Sequence, residues 1–164
     1  MSVKLNRAVR GLVVAAVMGA GLIGATGSAN AVGTTYTGQD PMATGCASDA
    51  TTMESATVMS PIGGGAMGTI ELRYSVSCHA AWARLTLNAP AGGTTCGTHC
   101  PAWGPNEYTA VIHRNTDGVE EKVTMSDGQT SVWTNMVDDG GVTSFAQSTI
   151  KITSNTSTAT TASY

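Results

Sequence analysis

Nine consecutive residues constrain this fold more than any others. In Ile70-Glu71-Leu72-Arg73-Tyr74-Ser75-Val76-Ser77-Cys78 the apolar set is Ile70, Leu72, Tyr74, Val76 and Cys78, with polar residues between them. A period of two over that length describes a β-strand with one buried face and one wet face. The run 81–87 repeats the pattern, with Ala81, Ala83, Leu85 and Leu87 inward and Trp82, Arg84 and Thr86 outward. Residues 78–80 carry the chain between the two strands. Paired as a hairpin, they set Glu71, Arg73, Trp82 and Arg84 on one face, where a stacked and ion-paired patch can form.

The rest of the chain reads the same way. A short strand is expected near 56–59, followed by a flexible turn at Pro61-Ile62-Gly63-Gly64-Gly65. Residues 88–107 form a long loop dense in Gly, Pro and Thr. Further strands are expected at 108–114, 121–125, 131–137 and 143–153, with hairpin turns at 115–118 and 126–128 and a turn at Asp138-Asp139-Gly140-Gly141. The tail, 154–164, is almost all Ser, Thr and Ala and reads as a frayed end or a late edge strand. No stretch after residue 31 carries a helical apolar stripe. The sum is an all-β protein of six to eight strands, a small disulfide-stabilised antiparallel β-sandwich or partly open β-barrel.

The first 31 residues have the pattern of an export signal. Lys4, Arg7 and Arg10 give a basic start, 11–24 is apolar or small, and Ala29-Asn30-Ala31 ends the stretch in an Ala-x-Ala cleavage pattern. The apolar part is too short for a comfortable membrane span, so stable membrane insertion is not expected. The expected organisation is a secretion signal at 1–31, an extended N-terminal arm at 32–45 and a single β domain at 46–164, in a secreted, extracellular protein. Three of the eight basic residues lie in the signal, which leaves five against eleven acidic residues and a net charge of −6. Such a surface repels a phosphate backbone, and no basic cluster offsets it, so nucleic acid is not an expected partner.

Cys46, Cys78, Cys96 and Cys100 allow three pairings. Cys46 with Cys78 and Cys96 with Cys100 is the favoured one. Two thiolates at 96 and 100 with His99, and His79 or His113 as a fourth ligand, have spacing that a zinc ion accepts. An oxidising compartment and an even cysteine count favour disulfides instead. No Gly-x-Ser-x-Gly elbow is present, and His79 and His113 carry no mark of a base held by a carboxylate. Asp127, Asp138 and Asp139 do not make an EF-hand loop, and Gly63-Gly64-Gly65 lacks the Gly-Lys-Ser/Thr of a phosphate loop. No catalytic, cofactor-binding or metal-binding residue is therefore expected.

Of the large aromatics Trp82, Trp103 and Trp133, alternation pushes Trp82 outward beside Arg84. Trp and Arg together are typical anchors of a protein interface. The competing expectation is that a loop or the N-terminal arm covers Trp82. In that arm, Tyr36-Thr37-Gly38-Gln39-Asp40-Pro41 reads as extended chain or turn, able to pack on its own sheet or to be offered to a partner.

Tyr36-Thr37-Gly38-Gln39-Asp40-Pro41, Thr44-Gly45-Cys46, Asp49-Ala50-Thr51-Thr52, Glu71-Leu72-Arg73-Tyr74-Ser75 with Cys78, and Ala80-Ala81-Trp82-Ala83-Arg84 together resemble the YjfA-like family of small secreted proteins of streptomycetes and bacilli. The specific match runs from Tyr36 to Arg84, and from Asn88 onward only the general character agrees. The resemblance implies a secreted, disulfide-bearing β domain with no known catalytic residues. For some streptomycete members it implies an adaptor subunit that joins lectin-bearing subunits to the stalked toxin protein of an extracellular antibacterial particle. It makes Tyr36, Gln39, Asp40 and Pro41 candidates for partner contact, beside Trp82 and Arg84 from the strand pattern.

The leading expectation is thus a secreted, non-catalytic binding or adaptor protein with an extracellular protein partner. The alternatives are a small secreted enzyme, a protease inhibitor using the Cys96–Cys100 loop as its reactive element, and a secreted hydrolase with a polar pocket of converging His and carboxylate groups.

Overall fold

The computed structural model describes residues 35–92 and 106–164. Cys96, Cys100, Trp103 and the expected export signal lie outside the described residues. The chain forms a short 3-10 turn, Cys46–Ser48, and then the strands β1 (Thr51–Met59), β2 (Ala66–Ser75), β3 (Ala80–Leu87), β4 (Glu107–Arg114), β5 (Glu120–Thr124), β6 (Ser131–Trp133), β7 (Val137–Asp138), β8 (Ser144–Ile152) and β9 (Asn155–Thr160).

These strands make two antiparallel sheets. The first has the order β1-β2-β3-β6, with β7 also paired to β3, and the second has the order β5-β4-β8-β9. The sheets face each other as a sandwich. They approach at the β1 and β9 edges and at the β5 and β6 edges without closing into a barrel. The core lies where their inner faces meet, with Ile70 and Leu72 from β2, Ala83 and Leu85 from β3, Ala110 and Ile112 from β4, and Ala146 and Ile150 from β8 all buried. The alternation read from 70–72 and 81–87 is the cause: every second side chain points between the sheets. The β2–β3 hairpin has the expected register, with Glu71 opposite Arg84 and Arg73 opposite Trp82. Gly68 is required there, because a Cβ at that position would stand 2.1 Å from the Thr86 carbonyl oxygen.

Two expected strands are corrected. Strand β2 ends at Ser75 instead of running to Cys78: Val76 is exposed in the turn while Ser75 is fully buried. Ser75 is held there by its hydroxyl bond to the Asp49 carboxylate at 2.5 Å, a non-local contact that overrides hydropathy. The single strand expected at 131–137 is broken into β6 and β7, because Thr134 takes over the ladder: its Oγ1 accepts from the Ala83 N–H at 3.1 Å, and its own N–H donates to the Ala83 carbonyl at 3.0 Å. Of the two expectations for the Ser/Thr-rich tail the edge strand holds: β9 pairs along β8, and beyond it Tyr164 exchanges two backbone bonds with Ser144.

The segment 35–50 is turn-rich rather than extended, and it lies across the outer face of the first sheet. Gly38 donates to the Met136 carbonyl, and Met136 donates back to Gln39, both at 2.9 Å. Gly38 has φ +81°, a left-handed conformation open to glycine at little steric cost. The Cys46–Cys78 disulfide, with Cα atoms 5.8 Å apart, staples this segment to the β2–β3 turn.

Candidate functional site: the outer face of the first sheet

The strand register places Glu71, Arg73, Trp82 and Arg84 on the outer face, as the alternation requires. The N-terminal segment then divides that face into a covered half and an open half. In the covered half Trp82 is only 2% exposed and packs with Cys46, Ala80 and Met136, while Tyr36, Ala47, Ala50 and Cys78 close around them. The outward Trp82 is therefore not a surface anchor: the chain's own segment, crossing over the sheet, makes a second small core beneath itself.

Polar anchors hold the start of that segment. The Asp138 carboxylate accepts from the Tyr36 N–H at 3.2 Å, from the Thr37 N–H at 3.3 Å and from the Thr37 hydroxyl at 3.1 Å. Arg114, 3% exposed, donates to the Asp138 carbonyl at 2.9 Å and forms a two-point pair with Asp117 at 2.9 and 2.7 Å. That hydrogen-bonded pairing with Arg114 pulls the Asp117 carboxyl down to about 2. Next to it, burial pushes the Asp139 carboxyl up to about 6, against the opposing hydrogen bond from the Ser144 hydroxyl at 2.9 Å and the charge of Arg114.

Ser, His and Asp thus meet at this end of the sandwich, but not in an order that activates a nucleophile. Ser144 is fully buried and bonds to the Asp139 carboxylate, whereas the His79 Nδ1 meets the Tyr74 hydroxyl at 3.3 Å. A triad needs the imidazole on the serine and the carboxylate on the imidazole. His113 does have a carboxylate partner, which the sequence did not reveal. Its Nδ1 lies 2.6 Å from Glu120 Oε1, and its ring stacks on Phe145 with centroids 4.5 Å apart. The visible clue was the short hairpin at 115–118, which sets His113 opposite Glu120. The second nitrogen, Nε2, is buried without a hydrogen-bond partner among the described residues. His113 and Glu120 line a polar groove of about 370 Å³ on the outer face of the second sheet, together with Glu107, Lys122, Gln147 and Lys151. Among the described residues no three His, Cys, Asp or Glu side chains are grouped to hold a metal ion, and no helix is long and apolar enough to cross a membrane.

The open half of the first sheet's outer face is built differently. Trp133 stands opposite Arg84 across the β3–β6 pairing and is 36% exposed. Arg84 Nε pairs with Glu71 Oε2 at 2.5 Å, and Glu71 Oε1 accepts from the Thr52 hydroxyl at 2.9 Å. Burial works against the Glu71 carboxylate, but the Arg84 and Thr52 bonds and the charges of Arg84 and Arg73 outweigh it and hold its pKa below the usual range. Arg84 is thereby fixed in one pose with part of its side chain in water. Asp40, in the N-terminal segment, and Trp133 both line a cleft of about 300 Å³, together with Val123 and Val132. Its Oδ1 accepts from the backbone N–H groups of Met42 at 2.6 Å and Ala43 at 3.2 Å, which locks the turn.

The six residues singled out from the sequence separate accordingly. Pro41 and Trp82 are buried, Tyr36 is half-buried in the small core, Gln39 is exposed with its backbone tied to Met136, and Asp40 and Arg84 reach the open surface. Trp133 joins these last two. The alternating pattern did not single it out, because β6 is only three residues long and offers no period to read.

Residues 34–147 match the family described as "Protein of unknown function (DUF2690)". Among curated proteins, "Uncharacterized protein YjfA" of Bacillus subtilis (strain 168) is 34% identical over 83 residues, which cover 51% of this chain. The matched region spans 45% of that relative's length. No solved structure matches the chain.

Proposed function

The chain belongs to the DUF2690 family, and we propose that it is a secreted, non-catalytic binding protein that engages an extracellular protein partner through the open half of this face. The observation that carries the reading is the juxtaposition of an exposed Trp133, an Arg84 paired with Glu71, and Asp40 of the stapled segment in the cleft beside Trp133. Aromatic and Arg side chains on a rigid support lose little freedom on binding, which is what makes an interface anchor effective. The Cys46–Cys78 bridge is in keeping with an oxidising, extracytoplasmic setting. The assembly we propose is the one implied by the resemblance to YjfA-like proteins. In it the protein is an adaptor between lectin-bearing and toxin subunits of an extracellular antibacterial particle, and it presents a surface rather than reactive groups.

Affinity capture from the producer's culture medium, followed by mass spectrometry, tests this reading. The tagged protein is expected to retain a defined larger partner, and Trp133→Ala and Arg84→Ala are expected to lose it while keeping the cooperative unfolding transition of the wild type. Equal capture by wild type and both variants contradicts it.

A further inference from the structure

The cleft between β5 and β6 has a chemistry that specifies more than an apolar contact. Its lining combines the aliphatic Val123 and Val132 and the Trp133 side chain with Asp40 and four further polar residues. Glu121 lies outside that lining but close to it: its Oε1 is 3.6 Å from where a Cβ on Gly38, two residues before Asp40, would sit. Glu121 points inward from an edge strand, is only half-buried, and its side chain makes no hydrogen bond among the described residues. Among the described residues no cation pairs with Asp40 or Glu121: Arg84 pairs with Glu71, Arg114 with Asp117 and Lys122 with Glu107, and Arg73 and Lys151 form no ion pair. A cleft that combines Val123, Val132 and an indole with Asp40 in its lining, and has Glu121 nearby, suits a long side chain with an aliphatic stem and a positive head. A Trp face beside the cleft adds attraction for that head. On either side run the outer edges of β5 and β6, each the last strand of its sheet, whose open backbone groups can accept an extended segment. The net charge of −6 after residue 31 draws basic partners to the protein.

We propose that the cleft between β5 and β6 is an anchor site for an arginine or lysine side chain presented by an extended, basic segment of the partner protein. The inference rests on the binding role assigned above and names the chemistry of what is bound. Arginine is the better occupant, because its planar fork can meet two carboxylates and stack on the indole at once.

The probe is the peptide acetyl-Ser-Val-Arg-Val-Ser-amide, titrated into the full-length secreted protein while the amide and indole signals are followed by NMR. The Trp133 indole N–H and the amides of 121–124 and 131–133 are expected to shift. The shifts are expected to fade with added salt and to be absent for peptides carrying Glu or norleucine at the central position. The double variant Asp40→Asn, Glu121→Gln is expected to bind about tenfold more weakly. Asn at 40 still caps the turn and Gln at 121 is isosteric, so the fold is retained. Equal shifts with the norleucine peptide, or none with the arginine peptide, overturn the proposal. So does a Glu121→Gln variant that self-associates without any change in peptide affinity, because the inward carboxylate then serves only to guard a strand edge. Capture of the natural partner separates the two levels of the argument. Loss in Trp133→Ala without loss in the double variant rejects the cationic anchor alone. Retention in Trp133→Ala with the arginine peptide still bound rejects the face as the partner's site.

Discussion

Two tryptophans on one sheet face provide the sharpest test of how the N-terminal segment is used. Trp82 and Trp133 lie on neighbouring strands, and hydropathy alone does not separate them. In the structure Trp82 is 2% exposed under the segment, and Trp133 is 36% exposed beyond its edge. Truncating Trp82 to Ala empties the small core of its largest member and strips contacts from Met136, Cys46 and Tyr36. Such a deletion costs about 3–5 kcal/mol, since the stapled segment cannot collapse into the gap. Against a typical total of about 5–15 kcal/mol that is a large fraction. For a domain of this size it corresponds to a fall in melting temperature of roughly 10–20 °C. Trp133→Ala leaves no enclosed cavity and is expected to cost under about 1 kcal/mol. Urea unfolding followed by circular dichroism, with both variants measured in one buffer, reads the difference directly. Comparable losses for the two variants, or a loss below about 1 kcal/mol for Trp82→Ala, would refute the covered-half, open-half division.

Three further outcomes follow from the polar anchors and the staple. Arg114→Ala is expected to lose about 2–3 kcal/mol, because it removes charged hydrogen bonds to Asp138 and Asp117 from a buried position; Arg114→Lys is expected to recover only part in chemical denaturation, for want of the two-point geometry. Cys46→Ser with Cys78→Ser opens a loop spanning a sequence separation of 32 and is expected to cost about 3.5–4 kcal/mol; faster proteolysis within 35–50 is the corroborating readout. Asp139 titrates near 6 when folded and at about 3.8 when unfolded, so the native state holds more protons between those values. Its contribution is therefore greatest below pH 3.8 and is lost as pH rises through 6. The stability of Asp139→Asn relative to wild type is expected to rise over that interval, and a flat difference from pH 4 to 7 would show that the carboxyl is not held in its neutral form.

The parts of this fold that could be read from the chain are those governed by local period. Residues 70–72 and 81–87 alternate without interruption, and β2, β3 and their register follow. Reading failed where a distant residue supplied the deciding contact. Ser75 is buried by Asp49, which lies 26 positions away, and β6 and β7 are split by a Thr134 side chain that replaces a backbone acceptor. The tail's Ser, Thr and Ala composition left a frayed end and an edge strand both open, and its pairing along β8 decides for the strand. The site shows the same division. Alternation put Trp82 and Arg84 on the right face, but whether that face is open depends on where 35–50 folds, which no period encodes. Trp133 is the exposed aromatic for the complementary reason: it lies outside the small core that the segment covers. The His113–Glu120 pair needed only the hairpin register, and counting across the turn at 115–118 would have found it.

Hydrogen exchange on the partner-bound and free protein tests the binding face most directly. Slowed exchange in 131–133 and 39–42, with the second sheet's outer face unchanged, is the predicted result. Protection centred on β4 and β8, with 131–133 exchanging as in the free protein, would contradict it.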